Sequence, residues 1–128
     1  MDQRRTVLLA DASEEFRSLL REEIEKTGEF SVDIARDGNE VLKKVEERTP
    51  DLLVMDAMLA GLDGISVLRQ LQKQENGPMT ILTSGFVSGR MLMEASELGV
   101  AYFLPKPFET ENLLDKMRGL FLQTPKET

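Results

Sequence analysis

Apolar and polar residues follow two different rhythms along this chain. Five short, nearly continuous apolar runs stand out: "TVLLA" at 6–10, "FSVDIA" at 30–35, "LLVM" at 52–55, "MTILT" at 79–83 and "YFL" at 102–104. Four have the length and β-branched content of a strand, and the short "YFL" carries two aromatic residues that suit one. Behind each comes a stretch whose apolar positions recur every three or four residues, the period of a helix. In "SEEFRSLLREEIEKTG" the periodic set is Phe16, Leu19, Leu20 and Ile24, with Gly28 as the stop. In "NEVLKKVEER" it is Val41, Leu42 and Val45, with Pro50 as the break. "ISVLRQLQKQ" is expected to bury Ile65, Leu68 and Leu71, and Asn76-Gly77-Pro78 reads as the turn behind it. A fourth helix is expected over 88–98, closed by Gly99, and a fifth in "ENLLDKMRGLF" around Leu113, Leu114, Met117, Leu120 and Phe121.

Strand then helix, five times, with short connections, implies an α/β fold: a parallel sheet covered by helices on both faces. Such sheets bind ligands beyond the carboxyl ends of their strands, where the strand order reverses. No internal repeat interrupts the pattern. The last residues, "QTPKET", are polar and carry a proline, so the expected division is one domain over 1–122 and a polar tail or linker stub over 123–128.

Composition narrows the chemistry. Cysteine and histidine are both absent, which removes thiolate sites, the commonest metal ligand and the commonest acid–base residue near neutral pH. Carboxylates, hydroxyls, lysines and backbone amides remain. A net charge of −7 argues against direct grip on nucleic acid. No apolar run approaches the ~20 residues of a membrane span, and no secretory signal is apparent. The expected location is the cytoplasm.

The strand ends carry the informative residues. Strand one runs into Asp11, strand three into Asp56, strand four into Thr83-Ser84, and strand five stops just short of Lys106. In a parallel sheet these ends share one edge, so "LLVMDAML" sets its acid on the rim of a shallow cleft rather than in the core. A carboxylate can attack phosphorus, a divalent cation can offset the repulsion between carboxylate and phosphoryl oxygens, and a hydroxyl and a lysine can bind the resulting oxygens.

On these residues, with "LDG" after the acceptor strand and "FLPKPF" at strand five, the chain resembles the receiver domains of two-component response regulators, and within them the sporulation master regulator subgroup. The resemblance implies a flavodoxin-like, doubly wound five-stranded sheet in the order 2-1-3-4-5 with five flanking helices. It implies Asp56 as phosphoacceptor, with Thr83 and Lys106 as the hydroxyl and lysine that meet the phosphoryl group. Asp11, Asp56 and the Met58 backbone carbonyl would hold Mg2+. Thr83 and Phe103 would form the switch, and Pro107 would follow a cis bond. The implied donor is a histidine kinase or phosphotransfer protein. A C-terminal DNA-binding effector domain is implied if the chain is a fragment, and a homodimer is expected through the face of the fourth helix, fifth strand and fifth helix. The domain itself is expected to be a signalling phosphoacceptor rather than an enzyme.

One departure bears on the chemistry. The family usually carries two adjacent acids after strand one. Here the register set by Phe16 puts Asp11 in the first place and Ala12 in the second, which weakens the expected magnesium site. Three readings stay open: a phosphorylated receiver, a phosphorylation-independent interaction domain, and a phosphatase with Asp56 as nucleophile. The last is disfavoured by Met58, where such hydrolases place a second acid. Plainer roles also stand beside the sharp ones. Asp11 could cap the first helix with Glu14 as its capping-box partner, and the run Met91, Leu92 and Met93 is expected to lie mostly in the core.

Overall fold

A computed structural model describes residues 4–75 and 77–123, so Asn76 and most of the expected tail lie outside the described residues. Its elements alternate strictly: β1 (Arg5–Ala10), α1 (Glu14–Glu25), β2 (Phe30–Ala35), α2 (Gly38–Glu47), β3 (Leu52–Asp56), α3 (Gly64–Gln72), β4 (Met79–Ser84), α4 (Gly89–Glu97), β5 (Tyr102–Pro105) and α5 (Thr110–Gln123). The strands form one parallel sheet in the order β2-β1-β3-β4-β5. The order reverses between β1 and β3, as the resemblance implies.

Alternation along each strand builds two cores. Val7 and Leu9 of β1, with Leu52 and Val54 of β3 and Ile81 of β4, pack against Leu20 and Ile24 of α1 and Leu113, Leu114 and Met117 of α5. Leu8 and Ala10, with Leu53, Met55 and Leu82, face the opposite way and meet Val41 and Val45 of α2, Val67, Leu68 and Leu71 of α3, and Ala95 of α4. Every residue of β3 is buried, so this central strand reads as a continuous apolar run instead of an alternating one.

The start of the central pair is pinned by a side-chain clasp. Asp51 Oδ2 accepts from the Thr6 backbone N–H at 2.8 Å and from its hydroxyl at 3.3 Å, while Thr6 Oγ1 accepts from the Asp51 N–H at 3.0 Å. The clasp lies next to the pairing Val7↔Leu52 and fixes its register. Helices α1 to α4 each begin on a capping side chain: Ser13, Asp37, Asp63 and Ser88 accept from the backbone N–H three residues on. The cap of α1 is therefore Ser13 and not Asp11, and Glu14 is its first helical residue instead of a capping-box partner.

Three packing expectations need correction. Leu19 is 59% exposed, and Arg17 is buried in its stead. At about 100° per residue, Phe16, Arg17, Leu20 and Ile24 span one sector, while Leu19 falls on the solvent side of Phe16. On α3, Val67 is fully covered whereas Ile65 is only half-buried. On α4, Leu92 and Met93 face solvent and only Met91 of that run packs on the core, because the helix meets the sheet through Ala95 and its flank.

The helix face assignment can be checked by denaturation. Leu20→Ala is expected to cost about 2–5 kcal/mol, the range of a buried leucine truncation. Leu19→Ala is expected to stay within about 0.5 kcal/mol of the parent, as exposed substitutions do. Equal losses at both positions would refute the assignment.

Candidate functional site

The carboxyl edge of the sheet is built by backbone contacts before any side chain enters. The Ala57 N–H donates to the Thr83 carbonyl at 2.8 Å, and the Lys106 N–H donates to the Ser84 carbonyl at 2.8 Å. These bonds extend the β3–β4 and β4–β5 pairings past the strand ends, so Asp56, Thr83 and Lys106 leave the sheet in fixed register, with Asp56 opposite Thr83. Two glycines permit the close approach of the surrounding loops. A Cβ at Gly64 would lie 2.8 Å from the Asp56 carbonyl oxygen, and one at Gly38 would collide with the Leu62 carbonyl. The start of α3 therefore sits directly on the end of β3, and the start of α2 on the loop that follows it.

Asp11 and Asp56 then take matching arrangements. Asp11 Oδ1 accepts from the Ser13 N–H at 2.8 Å, and Asp56 Oδ1 accepts from the Met58 N–H at 2.9 Å. In both cases the acid folds its own loop in an Asx turn. The two remaining oxygens share one cation: Lys106 Nζ donates to Asp11 Oδ2 at 2.6 Å and to Asp56 Oδ2 at 2.8 Å. The acids are nearly covered, with side-chain exposures of 4% and 12%, while the lysine keeps 22%. Burial pushes the Lys106 pKa down, but hydrogen bonds to Asp11 and Asp56, together with their charges, outweigh it and leave the ammonium above its ordinary value.

Thr83 and Ser84 are both buried at this edge. The Ser84 hydroxyl donates to the Phe86 carbonyl at 2.6 Å and accepts from the Phe86 N–H at 3.0 Å, which folds the loop after β4 and leaves the Phe86 ring 60% exposed. Met58 is also 60% exposed. Phe103 is half-buried against the second core, while Tyr102 packs against the first. The Lys106–Pro107 bond is cis, as the sequence resemblance implies.

Arg17 is the contributor that periodicity conceals. It is buried, and its Nη1 donates to the Asp11 backbone carbonyl at 2.7 Å, so α1 holds the loop that presents Asp11. Its Nε has no hydrogen-bond partner. The signal was present in the sequence: Arg17 lies about 20° beyond Ile24 on the helix, at the edge of the apolar sector.

The donor set can be tested against a divalent cation. Among the described residues no cluster of three or more acidic, histidine or cysteine side chains could hold a metal. Magnesium commonly uses one or two carboxylates and keeps several waters, and Asp11 and Asp56 supply such a pair. The residues fit the ion, with the qualification that the ammonium already occupies one oxygen of each acid.

The structure is thus a five-stranded 2-1-3-4-5 α/β sheet with two acids and a lysine brought together at its switch point. The family model for the response regulator receiver domain matches residues 7–118. The chain is 37% identical over 123 residues to the response regulator MprA of Mycobacterium avium, covering 94% of this chain and 53% of that protein. It is equally similar to the MprA of Mycobacterium bovis, again over 94% of this chain and 52% of the relative. The chain thus spans about half the length of these curated relatives. Among solved structures, the receiver domain of the Francisella response regulator 1452 superposes with a TM-score of 0.87 at 30% identity, covering 94% of this chain and 98% of that one. The N-terminal domain of an uncharacterised Wolinella succinogenes protein gives a TM-score of 0.87 at 27% identity, over 96% and 99% of the two chains. The chain belongs to the receiver domains of two-component response regulators.

The shared ammonium has a measurable signature. Because the Lys106 pKa is raised on folding, its stabilisation is complete below the ordinary value of 10.5 and is lost as pH rises through the higher folded value. Lys106→Met is expected to cost about 1–3 kcal/mol at neutral pH, less than the ~3–5 kcal/mol of a fully buried broken pair, since part of the lysine stays in solvent. Urea titrations of both proteins from pH 7 to alkaline pH should show the gap narrowing only above about pH 10.5. A gap that does not change with pH would contradict the shared-ammonium account.

Proposed function

We propose that this receiver accepts a phosphoryl group on Asp56. One observation carries the reading: Asp56 ends the central strand directly opposite Thr83, with the Lys106 ammonium 2.8 Å from its Oδ2. In the proposed step an Asp56 carboxylate oxygen forms a bond to phosphorus as the bond from phosphorus to the donor atom breaks. The donor is a phosphorylated histidine on a kinase or phosphotransfer protein, and the displaced pair stays on the imidazole. Asp11, Asp56 and the Met58 carbonyl would hold Mg2+, which when bound offsets the repulsion between the carboxylate and the incoming oxygens. Lys106 follows the transferred charge from carboxylate to phosphoryl oxygen. The buried Thr83 hydroxyl turns toward the new group, and Phe103, on the adjacent strand, repacks with it. An effector that reads this change, DNA-binding in the proposed reading, sits outside this domain. The proposed setting is the cytoplasm; among the described residues no helix is long and apolar enough to cross a membrane.

Ala12 favours a second reading, in which the domain works without phosphorylation. Its side chain offers no oxygen where the family sets a second acid, and both existing acids are satisfied by the lysine and backbone alone.

Incubation with a small acyl phosphate and Mg2+ separates the two. Intact mass is expected to rise by one phosphoryl group, and Asp56→Asn is expected to abolish the gain. An unchanged mass across a wide magnesium range would favour the second reading, and labelling that survives Asp56→Asn would show that another acid reacts. The alanine itself is open to repair. Ala12→Asp is expected to tighten Mg2+ binding by at least about tenfold, read from amide shifts of the loop residues during titration. Unimproved binding would show that position 12 does not limit the site.

A further inference from the structure

The ammonium at the centre of the site has a third neighbour that neither catalysis nor metal binding requires. Lys106 Nζ lies 4.4 Å from the centroid of the Phe16 ring and over its face. That ring is held in turn: Phe108 meets it edge-on, with centroids 5.9 Å apart and planes at 87°, and Phe16 packs against the first core. An ammonium has three donors. Here two go to Asp11 and Asp56, and a ring face borders the ion as well, so the ion is enclosed by two acids and an aromatic ring.

We infer that Phe16 is a positioning residue for Lys106, and that by holding the ammonium between the two acids it sets how readily Mg2+ gains entry. This rests on the proposed reading of the site as a magnesium-using receiver. A lysine carries its charge on a flexible four-carbon stem, so acids alone leave the ion free to swing with either partner. The ring removes part of that freedom and adds attraction between the cation and the π face. That attraction favours only the state in which the ammonium bridges the acids. A divalent cation held by Asp11 and Asp56 would compete for the oxygens that face the ammonium, and its charge would repel the ammonium beside it. Whatever stabilises the bridge therefore weakens magnesium binding by the same factor. For a partly exposed cation–π contact the factor is about two- to fivefold. In this chain the effect bears on a site that already lacks an acid at position 12, where two carboxylates face one ammonium.

The test varies the charge of the ring face in one series and the ring itself in two further variants. Phenylalanine at 16 is replaced by its mono-, di- and trifluoro analogues, which drain charge from the ring face at nearly constant shape, and separately by leucine and tryptophan. Mg2+ is titrated into each protein without phosphodonor and followed by amide NMR, with the Lys106 Cε protons observed in parallel. Magnesium binding is expected to tighten stepwise along the fluorinated series, to be about two- to fivefold tighter in Phe16→Leu, and to weaken in Phe16→Trp. The Lys106 Cε protons are expected to lie upfield in the parent and to lose that shift in Phe16→Leu. Equal magnesium affinities across the series, absence of a saturable magnesium response in every variant, or Cε protons without a ring-current shift would each overturn the inference. None of these readouts uses phosphoryl transfer. A protein that shows the stepwise magnesium series yet gains no phosphoryl mass supports the inference while defeating the proposed acceptor role, and the reverse pattern does the opposite.

Discussion

One ammonium holds together the part of this protein that matters most. β1 and β3 are neighbours at the point where the sheet reverses, so the acids that follow them leave the sheet side by side. Two nearly buried carboxylates in that position repel each other and lose solvation. Lys106 offsets both costs by reaching back from the edge strand to Asp11, 95 residues earlier, and to Asp56, 50 residues earlier. The first, third and fifth strands are thereby joined at one atom. The backbone bond from Lys106 to Ser84 makes this reach reproducible, because it fixes where the side chain begins.

The resting site is consequently a complete structure. Each acid has one oxygen on a backbone N–H of its own loop and the other on the lysine. Any reaction at Asp56 must loosen part of this set. In the proposed reaction a group arriving with its own negative charge would draw the ammonium away from the acids, and the loops would then be held by fewer bonds. In this sense the chemistry and the mobility of the edge are one event, since the bonds that stabilise the resting shape are those that the new charge competes for.

Much of this was legible in the residue pattern. Five apolar runs and five periodic stretches determine the layers, since strands of this spacing bury both faces only when helices cover them. The site acids were legible for the opposite reason: each is a polar residue standing where an apolar run ends. What the pattern could not convey was side-chain detail settled by tertiary neighbours. Leu19 and Arg17 both sit near the edge of the apolar sector, and the choice between them depends on the Asp11 carbonyl that Arg17 reaches. The Met91–Met93 run fits a buried face by composition, yet α4 turns Leu92 and Met93 outward because its contact with the sheet is narrow. The approach of Phe16 to Lys106 joins a helix start to a distant strand end, and no local period encodes such a meeting.

The two glycine contacts have a consequence for how such a loop changes over generations. Gly38 and Gly64 touch backbone atoms and not flexible side chains, so a neighbour cannot yield by choosing another rotamer. Sterics confine these two positions to the smallest residue. Between them, Met58 and Ala60 face outward and are free to vary. The segment after Asp56 thus combines sterically confined anchors with exposed side chains that can change without moving the aspartate.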